Sequence, residues 1–261
     1  MPPSWHPRHV RAHLVLVHGS RLASSQWAPQ LPLLRGHVDL TLVDLPGHGT
    51  RAAEAFTLDR CVEVIDEAVR AAARAVPRRA VVLVGHSLGG YAAMTYAAAH
   101  PDALDGLVLA DSSATPTGPG AAVYRGVAAL TDRLGPTRMT RVNDRVLRRL
   151  YPAERIEPVI AGGYYFAPTG AAWREVMARC RPAMLDGVGC PVLLLNGRFD
   201  QMRLGVRAFR RACPQAREVV LSRAGHLAGL DQPVAFAEAL LRFAHDVAEL
   251  ADGVADSARG G

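Results

Sequence analysis

Ser87 stands at the centre of Gly85-His86-Ser87-Leu88-Gly89, a G-x-S-x-G spacing that sets one hydroxyl between two glycines. A serine hydroxyl is a poor nucleophile at neutral pH, so chemistry there needs a base within hydrogen-bond reach and an acid behind that base. The glycines matter because the serine must sit on a strained turn while strand and helix pass closely. The flanking residues fit this demand. Val81-Val82-Leu83-Val84 is a continuous apolar run, the pattern of a strand buried on both faces. Tyr91 to Ala99 lacks a polar face over most of its length and reads as a buried helix, ended by Pro101. The motif alone is common in a glycine-rich chain; strand, turn and buried helix together make it specific.

Other stretches follow in an order that resembles the α/β-hydrolase family. Leu14-Val15-Leu16-Val17-His18-Gly19-Ser20 is similar to that family's strand and oxyanion loop, and Asp44-Leu45-Pro46-Gly47-His48-Gly49 to its D-x-P-G-x-G turn. Leu193 to Asp200 resembles the strand end that carries the acid, and Ala224-Gly225-His226 the histidine loop. The resemblance spans about residues 12 to 245 and is weakest between 112 and 186. It implies an α/β-hydrolase fold, a mostly parallel central sheet flanked by helices. The order Ser87, Asp200, His226 is the one expected there. By resemblance, Ser87 attacks, His226 takes and returns the proton, and Asp200 fixes the histidine's tautomer. Asp111, at the end of the strand after the elbow helix, is the alternative acid. The backbone N–H groups of Ser20 and Leu88 are the expected oxyanion donors, while His18, His48 and His86 are expected to hold loop geometry. No cofactor or metal is required.

The elements that must position these residues are legible in turn. Strands are expected at His13 to Val17, Val38 to Asp44, Val81 to Val84, Gly106 to Ala110, Val192 to Leu195 and Glu218 to Leu221. Ser24 and Ser25 suit the cap of a helix carrying Trp27, Leu31, Leu33 and Leu34, with Trp27 read as packing. Asp59 to Val76, Arg203 to Ala212 and Gln232 to Leu250 read as helices. Strands alternating with helices specify a parallel sheet with right-handed crossovers. Between 112 and 186 the pattern changes to glycine and proline, then to helices without a strand. In the resembled family such an insertion is a helical cap, which divides the chain into a core of 1–111 and 187–250 and a cap of 112–186. The tail, 251–261, is small, polar and glycine-rich, and is expected to be disordered.

Composition bounds the partners. The 261 residues are 49% hydrophobic and 21% charged, enough for a sizeable core and unlike a disordered chain. The net charge is +6, and all thirty basic residues are arginine. That charge is spread along the chain without a nucleic-acid motif, so no nucleic-acid partner is expected. The N-terminus has no apolar stretch of signal type, and no run approaches the ~20 apolar residues of a membrane span. Cys61, Cys180, Cys190 and Cys213 form no C-x-x-C pair, and free thiols in a reducing cytoplasm are expected. His6, His9 and His13 lack a carboxylate or thiol beside them and do not make a metal site.

These observations converge on a cytoplasmic serine hydrolase cleaving a carboxylic ester, lactone or thioester of a small-molecule substrate through an acyl-enzyme. Lyase, cyclase or carbon–carbon bond chemistry on the same scaffold, or a ligand receptor without turnover, remain the alternatives. Arg138, Arg141, Arg145, Arg148 and Arg149 recur at helical spacing and make a basic stripe. A solvated face accounts for it; a docking surface for an acidic partner, such as an acyl carrier protein, is the second reading.

Overall fold

The computed structural model describes residues 10–75, 79–115, 133 and 135–257. Six parallel strands form one sheet in the order β2-β1-β3-β4-β5-β6. They are β1 (Ala12–Val17), β2 (Asp39–Val43), β3 (Ala80–His86), β4 (Gly106–Ala110), β5 (Val192–Gly197) and β6 (Arg217–Leu221). Side chains alternate across the sheet, so each central strand feeds two apolar layers. Val15, Val17, Leu83, Leu107 and Leu194 face the layer closed by α2 (Leu58–Ala75) and α3 (Leu88–Ala99). Leu14, Leu16, Val82, Val84, Val108 and Leu193 face the layer closed by α1 (Leu31–Leu34) and α9 (Pro233–Ser257), where Trp27 is fully buried against Phe236.

Between β4 and β5 the described residues hold three helices and no strand: α4 (Pro136–Leu150), α5 (Ala153–Ile160) and α6 (Thr169–Arg179). A small apolar cluster of Leu22, Ile156, Val159 and Leu230 fastens α5 to the loop after β1 and to the short helix that follows β6. The remaining helices are α7 (Val206–Ala212) and α8 (Ala228–Asp231).

Three elements differ from the sequence expectation. Ser24 and Ser25 do not cap a long helix. A short 3-10 turn, Ser24–Trp27, and the four-residue α1 stand there, because Pro29 and Pro32 remove amide donors and interrupt the helix. Ser25 Oγ donates instead to the Val159 carbonyl at 2.9 Å. The stretch after Asp200 begins as a 3-10 turn, Gln201–Gly205, before α7. The closing helix runs on to Ser257, so residues 251 to 257 are helical, as the continuation of a helix whose earlier turns are anchored in the core. His6 and His9 lie outside the described residues, as does the glycine- and proline-rich stretch 116–132. His13 Nε2 pairs with Thr41 Oγ1 at 2.7 Å.

Candidate active site

The turn between β3 and α3 is as sharp as the motif demands. Ser87 has φ 52° and ψ −114°, a positive φ that a side-chain-bearing residue rarely adopts. Its amide is tied to the Ala110 carbonyl at 2.9 Å. A Cβ on Gly85 would lie 2.3 Å from the Gly89 carbonyl oxygen, and one on Gly89 would lie 2.5 Å from the carbonyls of Val17 and His18. Both positions therefore require glycine. The second contact brings the loop after β1 against the first turn of α3, where amides are without intrahelical partners and the helix dipole is positive.

His226 arrives on the loop after β6. Its Nε2 lies 2.9 Å from Ser87 Oγ, and its Nδ1 lies 2.9 Å from Asp200 Oδ1. An ionised carboxylate only accepts, so Nδ1–H donates to Asp200 and Nε2 is left as the acceptor facing the serine hydroxyl. Asp200 is buried, and its Oδ1 also takes the Met202 amide at 3.0 Å, which fixes the carboxylate at the start of the 3-10 turn. The acid and histidine loops touch directly: a Cβ on Gly197 would lie 2.1 Å from the Gly225 carbonyl oxygen.

Asp111, the alternative acid, is placed differently. Its Oδ1 accepts the Gly197 amide at 2.8 Å and its Oδ2 the Ala228 amide at 3.2 Å. It thus bridges the ends of β5 and the histidine loop, itself held at φ 48°. Burial first, and then the nearby Asp200 charge, push its carboxyl well above the usual range.

Three further histidines sit behind the site, each with a ring nitrogen on a backbone carbonyl. Leu45 N–H donates to His18 Nε2 at 3.0 Å, so His18 Nδ1–H donates to the Gly19 carbonyl at 2.7 Å. His86 Nε2–H donates to the His226 carbonyl at 2.9 Å, and His48 Nδ1–H to that of Pro46 at 3.0 Å. Burial, then the His48 ring, holds His18 down at about 3; burial, then the His226 ring, holds His86 at about 4. Both are neutral spacers that hold loops.

The amides of Ser20 and Leu88 donate to no acceptor among the described residues. The loop bearing Ser20 is fixed by a residue that spacing did not single out: Gln26, whose Oε1 accepts the Gly19 amide at 2.8 Å. Arg21 was not legible either, because its place depends on a backbone φ of 69°. These groups open onto a cavity of about 740 Å³, whose wall includes Ser20, Ser87, Trp173, Leu204 and His226. Such a volume suits a small organic molecule. Among the described residues, no group of three or more His, Cys, Asp or Glu is placed to hold a metal ion, and no helix is long and apolar enough to cross a membrane.

A model of the alpha/beta hydrolase family matches residues 14–239. Pimeloyl-acyl-carrier-protein methyl ester esterase of Sodalis glossinidius is 32% identical over 88% of this chain and 92% of its own length. The enzyme of the same name from Klebsiella pneumoniae is 30% identical over 88% and 92%. Among solved structures, a thermophilic esterase from Thermogutta terrifontis superposes with a TM-score of 0.71 at 27% identity, covering 92% of this chain and 91% of its own. The chain belongs to the alpha/beta hydrolase family.

Proposed function

We propose that this protein is a serine hydrolase that cleaves a carboxylic ester, thioester or lactone through an acyl-enzyme. The carrying observation is the unbroken chain from Ser87 Oγ to His226 to Asp200, with 2.9 Å at each step, on the wall of a 740 Å³ cavity. Ser87 attacks the carbonyl carbon while its proton passes to His226 Nε2. The oxyanion that forms is held by the Ser20 and Leu88 amides, a donor of this kind contributing about 3 kcal/mol to the transition state. His226 then hands the proton to the departing alkoxide or thiolate. In the second half-reaction a water gives its proton to His226 and its oxygen to the acyl carbon, releasing the acid and restoring Ser87. Asp200 does not take the proton; it holds the tautomer and stabilises the imidazolium.

The described helices of the insert between β4 and β5 act as a cap over the cavity, with Trp173 of α6 on its wall. The four cysteines are buried and unpaired, which fits a reducing compartment, and we place the protein in the cytoplasm. The substrate is presented on an acyl carrier protein, as the names of the Sodalis and Klebsiella relatives say of theirs. Helix α4 supplies the surface: Arg138, Arg141, Arg145 and Arg149 are exposed, and beside them Val142, Val146 and Leu150 are also exposed. A basic stripe next to an apolar strip complements an acidic amphipathic helix. Arg148 on the same helix is already paired with Glu157 at 2.8 Å.

Hydrolysis of p-nitrophenyl butyrate tests the reading. Release of p-nitrophenol by the wild type and its loss in Ser87→Ala are expected. A folded wild type that releases none from short acyl esters would overturn it.

A further inference from the structure

We propose that Asp111 is a positioning residue of the triad: it stays protonated at neutral pH and donates its O–H to Asp200 Oδ2. This deepens the ester-hydrolase reading, and its kinetic arm rests on that reading.

The two carboxyl groups share one buried place. Asp111 ends β4 with its amide on the Leu195 carbonyl at 2.8 Å, and the Asp200 amide lies on the Gly197 carbonyl at 3.2 Å. Asp111 Oδ1 takes the amide of that same glycine at 2.8 Å, so both aspartates are anchored at the end of β5. Their side chains are in hydrogen-bonding contact, and the residues are 0% and 3% exposed. Asp200 uses its oxygens unevenly. Oδ1 accepts from His226 and from the Met202 amide, whereas Oδ2 is buried with no donor among the described residues unless Asp111 supplies one.

A second negative charge has no compensation here. His86 Nε2 lies 3.6 Å from Asp111 Oδ2, but burial keeps that ring neutral and its N–H goes to the His226 carbonyl. His226 faces the pair from beyond Asp200, and among the described residues no arginine is paired with either carboxyl group. Two carboxylates in contact, away from water and cations, do not both ionise. Burial, and then the Asp200 charge, raise the Asp111 carboxyl well above its usual range, which puts the shared proton on Asp111. A protonated carboxyl still accepts the Gly197 and Ala228 amides while its O–H fills the open position on Oδ2. An O–H donated to a carboxylate is among the stronger hydrogen bonds. It fixes the plane of Asp200 toward His226, and it leaves one negative charge, not two, behind the imidazole when that ring takes the Ser87 proton.

The test begins with the wild type and needs no turnover. Carbon-13 NMR of protein labelled at the aspartate side-chain carboxyls should show one protonated carboxyl at pH 7, absent from Asp111→Asn. A wild type whose aspartates are all ionised at pH 7 would overturn the proposal. The kinetic arm follows the acid limb of kcat/KM for p-nitrophenyl butyrate. Asparagine is neutral and keeps an N–H donor for Asp200, so the limb in Asp111→Asn should stay within about 0.3 of a pH unit of the wild type. A fall of about one unit would mean that an ionised Asp111 had been removed, and a rise of that size that the proton belongs to Asp200; either overturns the assignment. Asp111→Ala leaves Oδ2 without its donor and should raise the limb, because Asp200 then favours the imidazolium more strongly; an unmoved limb would reduce Asp111 to a loop brace. The protonated resonance in a protein that hydrolyses no ester would keep the shared proton and discard the ester reading. Ester hydrolysis without that resonance would do the reverse.

Discussion

Asp200 Oδ1 lies 2.9 Å from His226 Nδ1, whereas both oxygens of Asp111 are engaged by the amides of Gly197 and Ala228. Two buried aspartates at neighbouring strand ends thus divide the work, one facing the imidazole and the other bracing the two loops that meet at it.

Replacing Asp200 with asparagine keeps the shape, removes the charge and favours the wrong histidine tautomer. We expect Asp200→Asn to lower kcat on the order of 10⁴-fold, about 5 kcal/mol, with KM little changed. Asp111→Asn should lower kcat tenfold or less. It retains one acceptor for two amides, so its main effect should be on stability, about 1–3 kcal/mol for the amide left unbonded. Steady-state kinetics with chemical denaturation of both variants separates the two roles. The reverse ranking of kcat would move the acid to Asp111.

The elbow gives a steric prediction. A Cβ on Gly85 would sit 2.3 Å from a backbone oxygen of α3, whereas one on Gly187 would meet nothing within 4 Å. Gly85→Ala should destabilise by about 3 kcal/mol or more and abolish turnover. Gly187→Ala should change stability by no more than about 0.5 kcal/mol. Thermal melts of the pair check this.

His18 and His86 give the protein a sign of pH dependence. Their folded values, about 3 and about 4, lie below the ordinary 6.5, so only the unfolded chain takes up their protons as the pH drops below 6.5. The stabilisation is therefore complete above pH 6.5 and is lost as the pH falls toward the folded values. Between pH 6.5 and 5 each ring should withdraw about 2 kcal/mol. Urea denaturation at pH 7 and pH 5 should show the drop, and equal midpoints would contradict neutral burial of these rings.

The exposed arginines of α4 predict a split by substrate. Reversing Arg141 and Arg145 to glutamate should raise KM about tenfold or more for an acyl-carrier-bound ester and leave p-nitrophenyl butyrate alone. Unchanged KM for the carrier-bound substrate would reduce the stripe to a solvated face.

The central strands were legible because burial on both faces leaves continuous apolar runs, as in Leu107-Val108-Leu109 and Leu193-Leu194-Leu195. Ser87, Asp200 and His226 were legible because each follows such a run or a glycine turn, where side chains project from the same end of a parallel sheet. Gln26 and Arg21 were not. Gln26 acts through a backbone amide seven residues away, and Arg21 through a positive φ and a ring contributed by Phe166. Neither relation leaves a periodic trace. The apolar spacing around Trp27 suggests one helix, but Pro29 and Pro32 divide the stretch into two short turns.

The most direct measurement is covalent labelling with a fluorophosphonate, followed by intact mass and peptide mapping. A nucleophile activated by His226 should take one adduct, on Ser87, and Ser87→Ala should take none. An adduct on Ser20, or a folded wild type that remains unmodified, would contradict the assignment of Ser87 as the attacking residue.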